Sequence, residues 1–207
     1  MSATRNSPPW RAPKGRVFQP RPCEVLNSIF QHLLAKLMAR RHDKADRRPA
    51  LGFEKGEHML ADKLGHFEQI LTDALQRLKQ IGEAQSEERF APGKWSRKEI
   101  LGHLIDSVSN NHQRIVRTQL AGQVSFPGYA QTQWVETQGY QSESWENLIQ
   151  LWAGFNRHML HLISHIPEER AYNHCVVGAG PPVTLRFLVE DYIRHLEHHL
   201  AQIFSKT

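Results

Sequence analysis

Three histidines fall inside five residues near the end of the chain, in Asp191-Tyr-Ile-Arg-His-Leu-Glu-His-His-Leu-Ala-Gln-Ile203. His195 and His199 are four apart, a spacing that stacks two imidazoles on one side of a helix. It is a common spacing for two ligands of one metal ion. Two imidazoles do not complete a site, so a third ligand has to come from elsewhere. The same stretch carries an apolar stripe, Leu185, Val189, Ile193, Leu196, Leu200 and Ile203. One helix therefore packs with one face and presents imidazoles from an adjacent strip.

Helical phase, at about 100° per residue, sorts the remaining histidines. His158, His161 and His165 lie opposite the tryptophans of their helix and read as solvated. His58 and His112 also point away from their apolar faces. His103 instead sits beside the apolar face of its helix, with Ser107, Asn110 and Arg114 along the same flank. A polar strip that borders a core is where a bundle can line a cavity. On the last helix His199 flanks the apolar stripe, His195 lies close beside it, and His198 is rotated roughly 60° further outward. The ligand set expected is His103, His195 and His199. Three neutral imidazoles can hold a divalent ion and leave positions open for water or substrate. Chance pairs are expected too, because 13 of the 207 residues are histidine. A lone His103 would more simply be a satisfied buried histidine.

The elements that must position these groups follow from periodicity. Residues 58–81 place Leu60, Leu64, Phe67, Leu71, Ala74, Leu75, Leu78 and Ile81 on one helical face. Ser96-Arg-Lys-Glu99 is a capping box that opens a second helix, running to about Leu120, with Ile100, Leu101, Leu104, Ile105, Val108 and Ile115 as its apolar face. Residues 121–141 form a long loop with a turn at Pro127-Gly128 and a short helical turn at 131–138 that carries Trp134. A third helix spans about 143–166, with apolar spacing from Trp145 to Ile166, and Pro167 ends it. Val176-Val177 and Val183 can flank a small hairpin. Thr184 is placed to cap the last helix, 185–205. Four long amphipathic helices and no convincing sheet imply an all-α four-helix bundle over 58–207. The long connection between the second and third helices leaves room for a crossover.

Residues 1–57 are different. The first 22 are rich in Pro, Arg and Ser and read as disordered. Residues 24–41 form a short amphipathic helix, and 42–56 return to polar linker. Residues 1–56 hold 12 Lys and Arg against 4 Asp and Glu, a balance of +8, so the net +5 of the chain belongs to this extension. It reads as a leader that docks weakly or not at all, as a basic helix for an anionic surface, or as sequence ahead of a natural start at Met59. Nucleic acid is not the expected partner, since the basic charge is confined to this segment. Cys23 and Cys175 lie far apart in no CxxC pattern, which fits a reducing, cytoplasmic setting and excludes a cysteine zinc site. No apolar run reaches the length of a membrane span, and no secretory signal is apparent. There is no GxxxxGK[ST], no GxGxxG after a strand and no GxSxG, so nucleotide binding and α/β-hydrolase chemistry have no support.

Two stretches carry a family resemblance. Gly93-Lys-Trp-Ser-Arg-Lys-Glu-Ile-Leu-Gly-His-Leu-Ile-Asp-Ser107 resembles the second-helix signature of the DinB/YfiT-like family, and Tyr192-Ile-Arg-His-Leu-Glu-His-His-Leu-Ala-Gln-Ile203 resembles its C-terminal signature. Phe126-Pro-Gly-Tyr129 and Trp134 look like the loop of its YfiT-type branch. The resemblance covers roughly residues 58–205. It implies a DinB-like four-helix bundle, often a homodimer, with nickel or zinc held by three histidines matching His103, His195 and His199. It also implies a small-molecule substrate and either hydrolysis or transfer chemistry with a low-molecular-weight thiol such as bacillithiol. Gly102 stands where some relatives have a further histidine.

Catalytic groups are less evident. Asn110 or Arg114 could hold an anionic substrate group, or simply form a buried polar pair. Asp106 points outward by phase, and Glu197 lies on the far side of its helix. Tyr129, Trp134 and His174 could wall the mouth of a pocket, while Trp95, Trp145 and Trp152 are assigned to the core. The absence of a strong acid or base favours thiol activation over hydrolysis. The alternative is a non-catalytic, stress-related binding bundle with a structural or adventitious metal.

Overall fold

The computed structural model describes residues 59–205, with side chains from residue 63. The extension, including the helix expected at 24–41, lies outside the described residues.

Four long helices form a bundle: α1 (Met59–Leu78), α3 (Arg97–Ala121), α5 (Trp145–Ser164) and α6 (Leu185–Phe204). Two short helices, α2 (Glu83–Glu87) and α4 (Gln131–Gln138), lie in the connections. The helix starts follow local chemistry. Ser96 Oγ accepts from the Glu99 N–H, and the Glu99 carboxylate accepts from the Ser96 N–H at 2.8 Å, which closes the expected capping box of α3. Ser144 and Thr184 cap α5 and α6 in the same way, through the N–H groups of Asn147 and Phe187.

The helix order in space differs from a simple up-and-down bundle. Both α1 and α3 pack against α5 and α6. Consecutive partners α1 and α3 are therefore diagonal, as are α5 and α6. The crossovers sit in the first and third connections, while the long second connection joins adjacent helices. Length alone pointed to the wrong connection. What sets the diagonal is the burial of α3, whose residues Arg97 through Val108 are all buried. A helix covered on every side for three turns needs neighbours on every side.

One cover is the second connection. A 3₁₀ turn at Tyr140–Ser142 follows α4, and the Tyr140 ring lies against Gly102 of α3. The C-terminal part of α3 meets a small sheet that sequence pattern only half reveals. β1 (Gln123–Phe126) pairs in parallel with β2 (His174–Val177), which pairs antiparallel with β3 (Val183–Thr184). The β2–β3 hairpin is the one expected. The β1–β2 pairing joins segments 51 residues apart, Gln123 opposite His174, and no local periodicity announces such a contact.

The core runs between the helices, around Phe67, Leu78, Leu101, Leu104, Trp152, Met159, Val189 and Leu196. Trp145 and Trp152 are buried as expected, and the Trp145 indole N–H donates to the Leu78 carbonyl at 3.1 Å. The start of α3 is tied to the end of α6. Buried Arg97 donates through Nε to the Ile203 carbonyl at 3.1 Å and through Nη1 to the Gln85 carbonyl at 3.0 Å. Lys98, also buried, is paired with Glu83 and Glu87 of α2.

Gly102 tests this packing. In an exposed helix Gly→Ala gains about 1 kcal/mol from propensity. Here a Cβ would overlap the Tyr140 ring, and overpacking a close-packed site costs about 1–3 kcal/mol. The Gly102→Ala variant is therefore expected to be less stable than wild type by about 1 kcal/mol or more in urea unfolding. A more stable variant would show that the ring does not rest there.

Candidate metal centre

The antiparallel pairing of α3 and α6 brings three imidazoles together. His103 comes from the second turn of α3, and His195 and His199 come from the third and fourth turns of α6. One nitrogen from each lies within 4.8 Å of the others. His103 Nε2 and His195 Nε2 are 3.2 Å apart. The three rings meet edge to face, with centroids 4.5–5.1 Å apart. His103 is completely buried, and its two partners are half-buried. The residues that helical phase selected are thus the ones the fold assembles. His198 turns away and is exposed.

These residues fit a divalent ion on three counts. The first is spacing. Two nitrogens each about 2.1 Å from one ion subtend roughly 100° when 3.2 Å apart, between octahedral and tetrahedral angles. The second is charge. Burial holds all three histidines below their usual range, His195 at about 4 and His199 at about 3, and repulsion from neighbouring imidazoles, His198 among them, adds to the effect. They are neutral at pH 7, the form a metal requires. The third is the outer pairing. His199 Nδ1 and His195 Nδ1 are taken up by Gln202 and Ser107, which leaves their Nε2 atoms for an ion.

Outer contacts orient the ligands. The His199 Nδ1–H donates to Gln202 Oε1 at 2.8 Å, which leaves Nε2 with its lone pair free. The Gln202 amide also reaches His198 Nε2 at 3.0 Å. Ser107 Oγ lies 3.3 Å from His195 Nδ1. Such contacts fix tautomer and ring orientation at metal sites. Gln202 was not singled out in the sequence, although its spacing of three from His199 and four from His198 is the signal that would have found it.

Other expectations need correction. Trp95 is not core. It is half-buried, with its ring 5.2 Å from that of His103, so it walls the histidine cluster. Asp106 does not point outward. It is buried, and its Oδ1 accepts from the Tyr140 hydroxyl at 2.8 Å and from the Gln138 amide, while Oδ2 has no partner among the described residues. Burial raises its pKa, and the two hydrogen bonds offset part of the shift. Phase failed because the α4 and 3₁₀ segment covers the face of α3 that would otherwise meet water. Glu197 is half-exposed and accepts from His66 of α1 at 2.9 Å.

Tyr129 and Trp134 do pair, at 4.9 Å between rings. Tyr129 is half-buried and lies near enough to Asp106 and Arg114 to feel both charges. Asn110 donates to the Asp106 carbonyl at 2.9 Å, and Arg114 donates to Asn111 Oδ1 at 3.4 Å. His174 is exposed at the start of β2, and His158, His161 and His165 are exposed on α5 as expected. His112 is half-buried against Phe155 and His158.

Comparison with known proteins agrees with this architecture. A family described as the DinB superfamily matches residues 66–203, two thirds of the chain. A solved structure described as YfiT from Bacillus subtilis, "a probable metal-dependent hydrolase with an unusual four-helix bundle topology", is similar with a TM-score of 0.63. The identity is 16%, and the match covers 78% of this chain and 91% of that one. The mycothiol-dependent maleylpyruvate isomerase is similar with a TM-score of 0.59 and 11% identity, covering 70% of this chain and 61% of that one. At these identities the likeness concerns the fold. No curated protein matches the chain.

The depressed histidine pKa values give metal-free protein a pH dependence of known sign. Above about pH 7 the three imidazoles are neutral both folded and unfolded, and they contribute nothing to the slope. As pH falls below about 6.5 the unfolded chain takes up protons that the folded cluster refuses. Stability is therefore lost on acidification from pH 7 toward pH 4, by about 1.4 kcal/mol per pH unit for each histidine still neutral in the fold. Urea midpoints of metal-free protein across this range should fall steeply. Replacing His199 by Gln should flatten the slope, and an unchanged slope would mean that His199 titrates normally.

Proposed function

The chain belongs to the DinB superfamily, and from that premise we propose that it is a metal-dependent enzyme in which His103, His195 and His199 hold one divalent ion, nickel or zinc. The observation that carries this reading is the number and kind of converging donors. Three histidines meet, and no fourth protein ligand joins them among the described residues. A structural ion is ordinarily closed off by a fourth protein ligand, whereas a catalytic one keeps a position for an exogenous group. When bound, the ion supplies Lewis acidity that lowers the pKa of a coordinated thiol or water into the neutral range.

The residues around it do the positioning. Gln202 and Ser107 hold the outer nitrogens of His199 and His195, so the inner nitrogens face a common point. Trp95 closes one side of His103 and keeps water from it. Asp106 is committed through Oδ1 to Tyr140 and Gln138, which leaves it poorly placed to shuttle a proton. Hydrolysis needs a general base in reach of the nucleophile. Attack by a thiol needs less assistance, so transfer from a low-molecular-weight thiol, bacillithiol or a similar compound, to a small electrophilic substrate is favoured over hydrolysis. The names of the two similar structures support one chemistry each. The same reading makes the protein a cytoplasmic homodimer, as the family resemblance and the two separated cysteines suggest.

Purified protein is expected to carry about one equivalent of divalent metal, measured by elemental analysis. The His103→Ala and His199→Ala variants should lose most of it while remaining folded. Wild-type metal content in both variants would overturn the assignment. With metal-loaded protein, product that forms only when a low-molecular-weight thiol is added identifies a transferase, and thiol-independent turnover identifies a hydrolase.

A further inference from the structure

α3 carries other polar residues besides His103 on the flank that faces α6. At about 100° per residue, His103, Ser107, Asn110, Asn111 and Arg114 fall on one polar strip. Hydrogen bonds link its members. Ser107 Oγ touches His195 Nδ1 at 3.3 Å. The Asn111 amide donates to the Ser107 carbonyl at 3.0 Å and to its hydroxyl at 3.4 Å. Arg114 Nη1 donates to Asn111 Oδ1 at 3.4 Å. A polar path thus leads from a ligand imidazole to a guanidinium two turns away, about 10 Å along the helix axis.

Arg114 is half-buried and makes no ion pair with any described carboxylate. Three groups from other elements lie close enough to influence it: Tyr129 from the loop after β1, Cys175 from β2 and Asp191 from α6. None of the three forms an ion pair with it among the described residues. Burial keeps Tyr129 and Cys175 protonated, and Asp191 is engaged by Arg194 at 2.8 Å. A guanidinium offers five donors in a fork that matches a carboxylate, and here one long bond to an amide oxygen is its only hydrogen bond among the described residues. A desolvated charge left this way is costly unless something pairs with it.

We propose that Arg114, with Asn111 and Tyr129 beside it, is an anion subsite that holds a carboxylate of the small molecule whose other end reaches the three histidines. The inference rests on the metal-dependent reading of that site and adds the substrate class: a compound several bonds long with a carboxylate remote from its reacting atom. The carboxylate belongs either to the thiol or to the electrophile, and two probe sets separate these cases.

The first set is a series of mercapto acids, from 3-mercaptopropionate to 8-mercaptooctanoate, with mercapto alcohols of the same length. Each is titrated calorimetrically into zinc-loaded full-length protein. The second is glutarate against glutaramide, titrated without thiol. A preference for the longer mercapto acids of roughly tenfold, lost in Arg114→Gln and partly kept in Arg114→Lys, places the anion on the thiol. A preference for glutarate over glutaramide, with the same dependence on Arg114 and none among the mercaptans, places it on the electrophile. Both variants should retain wild-type zinc content and helical circular dichroism, which shows that the fold and the histidines are intact. The proposal is overturned if neither set prefers the acid, or if the preference survives in Arg114→Gln. If zinc is not retained and no mercaptan binds, the metal reading has failed, and the glutarate arm decides the subsite on its own.

Discussion

The register between α3 and α6 is the constraint on which the rest depends. A shift of one helical residue along either axis is about 1.5 Å, enough to separate three nitrogens that now lie within 4.8 Å. Polar ties fix that register at two heights. Arg97 reaches across to the Ile203 carbonyl, and Ser107 meets His195. Between them the apolar filling does most of the energetic work. Leu101, Leu104 and Val108 of α3 share the core with Val189, Leu196 and Ile203 of α6, and each fully buried side chain is worth about 1.5–3 kcal/mol. That burial offsets the cost of desolvating three imidazoles that have too few hydrogen-bond partners of their own.

The diagonal arrangement explains why a site can form here. In a simple sequential bundle α3 would lie beside α1. Instead it lies between α5 and α6, with the Tyr140 turn covering it on a further side. A central helix has no solvent face for its first three turns, so its polar residues must find partners or become a functional group. Lys98 finds Glu83 and Glu87, and Arg97 finds backbone carbonyls. Asp106 finds Tyr140 and Gln138. His103 finds only imidazoles and an indole, and that difference sets it apart from the other buried polar residues of α3.

The sequence is most informative where one element has one buried face. The four long helices, the capping box and the N-cap at Thr184 follow from period and local chemistry, and the choice of His195 and His199 over His198 follows from phase on α6. The same reasoning misplaced Asp106. It assumed that α3 had a polar side open to water, and chain segments distant in sequence close that side. The β1–β2 pairing and the choice of crossover depend on contacts of the same non-local kind. Tyr140 against Gly102 is legible afterwards, since a glycine inside a helix often marks a close approach, but the partner is not.

A polar strip therefore starts at a cluster of neutral imidazoles and ends at Arg114, along one flank of α3. Such an arrangement suits a ligand that bridges the two. The central claim is that the three histidines share one ion and leave room for a sulfur donor. X-ray absorption at the metal edge of zinc-loaded protein, before and after addition of 2-mercaptoethanol, tests it most directly. The account predicts scattering from three imidazoles at first, then a sulfur shell at about 2.3 Å once thiol is present. Four protein ligands before addition and an unchanged spectrum afterwards would contradict it.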